Sequence, residues 1–231
     1  MPRTICWFSC GAASTLATLL VEDGIPVYCH IENEHPDNWR FMRDCEVKFK
    51  RRVTVLKSEK YADCWEVWEK ERWLNGPGGA RCTTEMKKLV RRAFTLPDDT
   101  QVFGFTVEEK DRAERFQEHN PEVIFRFPLI EQGLGKGDCL DWLATLNLTM
   151  PMMYRLGYHN ANCVGCVKGG KGYWNKIRRD FPATFKRMAE LERSIGASCI
   201  NGTYLDELNP RAGRHKDLEL PECGLFCGES A

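Results

Sequence analysis

The sequence predicts an α/β fold: a doubly wound, mostly parallel sheet flanked by helices, followed by a helical, cysteine-bearing C-terminal part. Short β-type runs alternate with helical stretches through the first half, the pattern of strands joined by crossover helices. Beyond Pro128 the alternation stops and the apolar spacing becomes helical. At 231 residues the chain is long enough to bury one large core. The expected division is an α/β core over 1–128 and a helical part over 129–231, joined as one continuous domain.

TICWF at 4–8 is the expected first strand, PVYCHI at 26–31 the second and VTVL at 53–56 the third. QVFGF at 101–105 and VIFRF at 123–127 extend the sheet, since β-branched and aromatic residues suit a pleated, buried surface. Helices are expected over 14–21 and 37–49. The second of these carries Phe41, Cys45 and Phe49 on one face and Asp37 as its N-cap. Past Pro128, helices are expected over 138–146 and 182–195. Phe181, Phe185, Met188, Glu192 and Ile195 form a stripe at helical spacing that reads as core. A charged segment over 210–221 leads to ECGLFC near the C-terminus.

Lysine plus arginine equals aspartate plus glutamate at 33 each, which removes the broad electrostatic drive of a general nucleic-acid binder. A local basic patch over 168–179 stays open. With no apolar run of membrane-span length and no charged-then-apolar leader, the expected location is the cytoplasm, with no membrane partner. In that reducing compartment the 12 cysteines are expected as thiols and ligands rather than disulfides.

Five of those cysteines stand out. Cys163 and Cys166 lie two residues apart in NCVGCVKGG, a spacing that lets both sulfurs face one ion while Gly165 frees the turn. Cys82 in ARCTTEMKK, and Cys223 and Cys227 in ECGLFC, would bring further sulfur from distant segments. Such a set suits an iron–sulfur cluster of the four-iron type, or zinc; the competing reading is of small buried hydrophobes. Cys6, Cys10, Cys29, Cys45, Cys64, Cys139 and Cys199 are expected mostly to be packing residues.

FSCGAAS at 8–14 follows the first strand and opens the first helix. At that position in a parallel sheet, free backbone amides and the hydroxyls of Ser9 and Ser14 would meet an anion, with Gly11 leaving the backbone unhindered. An ordinary strand-to-helix turn is the alternative. The lysine of a GxxxxGK[ST] loop is absent.

This loop resembles the SGGxDS loop of the PP-loop ATP pyrophosphatase superfamily, also called adenine nucleotide alpha hydrolase-like. With the segments that follow, it resembles that superfamily's phosphoadenylyl sulfate (PAPS) reductase family, in its phage and bacterial reductase-like branch. Ser9, Gly11 and Ser14 match superfamily positions, and Ala13 stands where the pyrophosphatases place aspartate. HIENEHPDN at 30–38 is similar to the second-strand loop that meets the nucleotide, RCTTEMKK to the cysteine-bearing segment, and GFTVEEKDRAER at 104–115 to the phosphate-gripping loop. Glu222, Cys223 and Gly224 match the ECG segment. Read alone, 30–38 is also a solvated turn and 104–115 a solvated helix with exposed ion pairs.

The resemblance implies a nucleotide-binding core with Ser9, Cys10, Gly11, Ala12, Ser14, Glu32, Asn33, Glu34, Gly104, Lys110, Arg112 and Arg115 at an adenine nucleotide such as adenylyl sulfate (APS), PAPS or ATP. It implies Cys223 as nucleophile, and Cys82, Cys163, Cys166 and Cys227 as cluster ligands, with thioredoxin or glutathione as electron donor and a homodimer as an open option. Lys168, Lys171 and Arg178 would either favour the thiolate or form an ordinary basic face. The family's paired cysteines are absent, because Thr83 follows Cys82, so Cys223 and Cys227 compete for the fourth ligand position. The leading expectation is a sulfonucleotide reductase that attacks sulfur and releases sulfite. ATP-dependent thiolation of a nucleotide or nucleic acid and a non-catalytic nucleotide-binding cluster protein are the alternatives.

Overall fold

A computed structural model of the chain describes residues 1–76 and 78–214. Its centre is a parallel five-stranded sheet of β1 (Thr4–Phe8), β2 (Ile25–Cys29), β3 (Thr54–Leu56), β4 (Thr100–Val102) and β5 (Ile124–Arg126), in the order β3-β2-β1-β4-β5. Helices cover both faces, so the α/β class expected from the alternation is the one observed. Strand β1 sits in the middle and buries both its faces. Ile5 and Trp7 point to one core with Val27, Cys29, Phe103 and Phe116, while Phe8 points to another with Tyr28, Phe41 and Leu143.

Helix α1 (Ala12–Leu19) and α2 (Asp37–Phe49) cover the Phe8 face. The predicted stripe of α2 is the buried one, with Phe41, Cys45 and Phe49 all inside. Next come α3 (Cys64–Glu71), α4 (Arg81–Thr83) and α5 (Leu89–Phe94). A π-helical segment, Thr84–Lys88, joins α4 to α5. Helix α6 (Lys110–Glu118) packs Ala113 and Phe116 on the Trp7 face.

The remaining helices are α7 (Pro128–Glu131), α8 (Lys136–Thr145), α9 (Met152–Arg155), α10 (Lys171–Asp180) and α11 (Pro182–Ile195). Leu143 and Cys139 of α8 enter the same core as α1. A third core joins Trp65, Trp68, Tyr173, Trp174, Ile177 and Met188 from α3, α10 and α11. The Phe181 to Ile195 stripe lines this core, with Met188, Glu192 and Ile195 buried. Among the described residues no helix is long and apolar enough to cross a membrane.

Asp37 departs from expectation. The N-cap of α2 is Pro36, and Asp37 is the first helical residue, with no side-chain capping bond at that terminus. Its carboxylate instead receives Arg40 at 2.8 Å and the Met152 backbone N–H at 2.7 Å, with Arg155 at 3.7 Å. A stronger charge-assisted partner set outcompetes the local cap and ties α9 to α2. Those partners, the Arg40 hydrogen bond foremost, hold the Asp37 carboxyl down to about 2. A depressed carboxylate stabilises the fold above its unfolded pKa and ceases to do so as pH falls through its folded one. Asp37→Asn is therefore expected to cost on the order of 1 kcal/mol near neutrality, after solvent screening, with the deficit closing between about pH 4 and pH 2. Urea denaturation of both proteins across that range checks this; a deficit that stays constant would show that the charge is not its source.

Candidate functional site

The strand order reverses at β1, so the carboxyl ends of β1 and β4 flank the switch point where doubly wound sheets bind ligands. Ser9, Cys10, Gly11, Ala12 and Ser14 lie there, on the turn into α1. The Ser9 N–H donates to Ser14 Oγ at 3.1 Å and the two hydroxyls are 2.9 Å apart. Thr15 Oγ1 donates to the Gly11 carbonyl at 2.7 Å, and Tyr154 accepts the Ala12 N–H at 3.1 Å. Cys10 takes a left-handed φ of 57° and buries its thiol toward the Asn38 carbonyl, facing the core. Gly104, just past β4, touches the same turn, and a Cβ there would stand 2.7 Å from the Ser14 nitrogen and the Ala13 carbonyl carbon. The absence of a side chain lets the two loops meet.

The loop over 31–34 leaves β2 and does three separate things. Glu32 is exposed, and Lys57 with His30 holds its carboxyl below the usual range. Asn33 turns toward the third core, where its Oδ1 accepts the Cys64 N–H at 2.7 Å and its carbonyl accepts the Val164 N–H at 2.8 Å. Glu34 is buried, accepting hydrogen bonds from the Tyr28 hydroxyl and Asn38 Nδ2 and pairing with Lys87 Nζ at 3.2 Å. Beside that carboxylate, in a buried site, the Tyr28 phenol is pushed far up. Lys87 reaches Glu34 from the π-helical segment, where Glu85, Lys87 and Lys88 are all buried. One extra residue per turn is a common device for re-aiming side chains at functional sites.

Lys110, Arg112 and Arg115 lie on α6, past the switch point. Lys110 pairs with Glu114 at 3.8 Å and Arg112 with Glu109 at 2.7 Å, the Arg112 guanidinium lying over Phe105. Arg115 is exposed. Of the other expected cations, Arg178 donates to the Leu205 and Leu208 carbonyls and Lys171 is exposed at the start of α10. Lys168 is half-buried and its charge acts on Cys82. Lys176 and Arg179 both pair with Asp180 at 2.9 Å, so much of the 168–179 charge is matched internally.

The sulfur lies behind the Asn33 bracket. Cys64, Cys82, Cys163 and Cys166 share one core, and none is more than 8 % exposed. The neighbouring Cys163 and Cys82 thiols, with burial, push the Cys64 thiol well up. The Tyr173 hydroxyl fixes the 163–166 turn, accepting the N–H groups of Gly165 at 3.1 Å and Cys166 at 2.9 Å and donating to the Cys163 carbonyl at 3.2 Å. Gly165 adopts a φ of 78°, which supplies the left-handed step of the turn. The neighbouring Cys64 thiol, with help from Lys168, the Trp68 indole N–H and Lys87, brings the Cys82 thiol down to about 7. Burial foremost pushes Cys6, Cys29 and Cys45 the other way, to about 12.

Cys199 stands at the margin of the same core. Its backbone N–H donates to Glu192 Oε1 at 2.6 Å, and burial together with that carboxylate pushes its thiol well up. Sequence reasoning sorted Cys64 and Cys199 with the packing residues, because no spacing relates either to the 163–166 pair. Asn33, which follows an exposed glutamate in the sequence, carried no hint of its role as a bracket. Cys223 and Cys227 lie outside the described residues.

The donor set has the chemistry of a thiolate-ligated cluster or zinc: four buried sulfurs with an ordered chelating turn. Two further observations bear on the fit. The buried Trp174 indole N–H in this core has no hydrogen-bond partner among the described residues, which suits an inorganic sulfide as acceptor. As placed, no group of three or more His, Cys, Asp or Glu among the described residues would hold a metal ion. A metal here would require these thiols to move together and lose their protons. Comparison with protein-family models, curated proteins and solved structures finds no match to this chain.

Two substitutions test the construction. Tyr173→Phe leaves the Gly165 and Cys166 N–H groups without their buried acceptor and is expected to cost about 2 kcal/mol in chemical denaturation. Gly104→Ala forces the two switch-point loops apart and is expected to cost about 1–3 kcal/mol in the same measurement.

Proposed function

We propose that this chain is a sulfonucleotide reductase-like enzyme that binds APS or PAPS at the carboxyl ends of β1 and β4 and releases sulfite. The reading is carried by the gathering of buried thiols against the same β2 loop that borders the nucleotide crevice, through the Asn33 bracket. A sulfur-bearing nucleotide seated on the Ser9 to Ser14 turn would place its anion within the reach of sulfur chemistry. Ala13 supports this choice over ATP-dependent thiolation. It is 3 % exposed in an apolar core, so the position where the pyrophosphatases carry aspartate offers no carboxylate to a metal–triphosphate.

In the proposed reaction the Cys223 thiolate attacks the sulfate sulfur of the nucleotide. An S–S bond forms, the sulfur–oxygen bond to the 5′-phosphate breaks, and AMP or its 3′-phosphate leaves with the electron pair. A donor thiolate, from thioredoxin or glutathione, then attacks the Cys223 sulfur. Sulfite departs with the bonding pair, and a second donor thiol reduces the resulting mixed disulfide. Two thiols are oxidised and the sulfate sulfur is reduced by two electrons. Cys82, Cys163 and Cys166 would hold an iron–sulfur cluster, or zinc, which when bound supplies a soft centre that keeps their thiolates ionised and crosslinks their segments.

Anaerobic protein incubated with APS, PAPS or ATP and a thiol donor discriminates the readings. The expected result is sulfite from APS or PAPS that vanishes in Cys223→Ser. Pyrophosphate from ATP with no sulfite from either sulfonucleotide would favour thiolation and overturn the proposal.

A further inference from the structure

We propose that the cleft between α10 and the 210–214 segment receives the phosphate backbone of a nucleic-acid duplex, a partner outside the reaction proposed above and independent of it. The cleft measures about 660 Å³, and of its eleven lining residues five are cationic and none is acidic. Positive and negative side chains balance at 33 each over the whole chain, so this surplus is a local concentration of charge. Gly172, Asn175, Lys176 and Arg179 recur at helical spacing and turn one face of α10 to the cleft, while Tyr173, Trp174 and Ile177 turn the opposite face to the core. Asn175 Nδ2 donates to the Asn209 carbonyl at 2.9 Å and the Ala212 carbonyl at 2.7 Å, which straps the facing segment onto the helix. Gly213 lies so close that a Cβ there would stand 2.2 Å from the Gly172 nitrogen. Arg211 and Arg214 are thus exposed residues on a backbone already held in place, and a ligand is spared the cost of ordering it.

The internal pairing of α10 leaves this cleft positive. Lys176 and Arg179 share the one carboxylate of Asp180, which offsets a single charge, and Arg211 and Arg214 lie beyond that matched run. Four of the five cations are arginines, whose planar fork fits two phosphate oxygens at once. Among the described residues the lining carries no aromatic ring, and its only apolar side chains larger than glycine are Pro210 and Ala212. The base of a free nucleotide or of a single strand would find nothing to stack on there. An acidic protein would find no apolar anchor of the kind that carries most interface energy. A duplex needs neither, because its bases are already stacked and its phosphates repeat along the outside. Binding of this kind is independent of sequence and falls steeply with salt, since each neutralised phosphate releases counterions.

The test is fluorescence anisotropy of the full chain with labelled DNA and RNA duplexes of two unrelated sequences, titrated between about 50 and 200 mM salt. Wild type is expected to bind at least one duplex type with the same affinity for both sequences, and log K should fall against log salt with a slope of about −3 to −4. The triple variant Arg179→Gln/Arg211→Gln/Arg214→Gln is expected to lose at least about tenfold in affinity at the low-salt end and to flatten the slope by about 2 to 3. Arg43, Lys48 and Lys50 are exposed on and just after α2, and Arg43→Gln/Lys48→Gln/Lys50→Gln removes the same charge there; it is expected to stay within about twofold of wild type. No saturable binding by wild type, or an equal loss in the α2 variant, would overturn the assignment. Polyglutamate that binds as tightly as the duplex would reassign the cleft to an acidic protein, and inorganic triphosphate that displaces the duplex at equal phosphate concentration would reassign it to a small anion. The assay contains no sulfonucleotide, so its outcome bears on the cleft alone and leaves the sulfite test to decide the reaction.

Discussion

The buried pair of Glu34 and Lys87 is the constraint on which the site depends. Removing two charges from water costs several kcal/mol each, and their attraction offsets this only when further hydrogen bonds satisfy the remaining valences. Here they do, because Tyr28 and Asn38 donate to the same carboxylate. Such a pair adds little net stability, but every arrangement that separates it leaves a charge stranded in the interior. The end of β2, the start of α2 and the π-helical segment that follows Cys82 are thereby held in one geometry. Asn33, the preceding residue, extends that geometry to Cys64 and Val164.

Much of the fold was legible because burial imposes periodicity. All five strands and the helices Asp37–Phe49 and Pro182–Ile195 appear where alternation or a helical stripe places them. Strand ends shifted by a few residues; the second run was read to Ile31, but pairing stops at Cys29, where the chain must turn to place 31–34. Helices α3, α5 and α10 were not read. Their sequences carry dense charge around few apolar positions, and tertiary contacts rather than local pattern decide such segments. Asp37 was misread as a cap for a related reason, since a local rule lost to a distant backbone N–H at Met152.

The site was legible in its parts and not in its joints. The Ser9 to Ser14 turn and Gly104 could be paired from sequence, since a strand-to-helix turn and a glycine after a later strand converge wherever a parallel sheet switches direction. Glu32, Asn33 and Glu34 look alike as a polar run, yet the structure sends one to solvent, one to the cysteines and one into a buried ion pair. No pattern of residue types encodes that divergence. It follows from the successive directions of side chains on a tight turn leaving a buried strand.

The cysteines divide by the same physics. Those on the sheet and its covering helices, Cys6, Cys29 and Cys45, are hydrophobes whose burial holds them protonated. Those in the tryptophan-lined core meet one another and a cation, and there a thiol is brought toward neutrality. Glu192 beside Cys199 creates the opposite field.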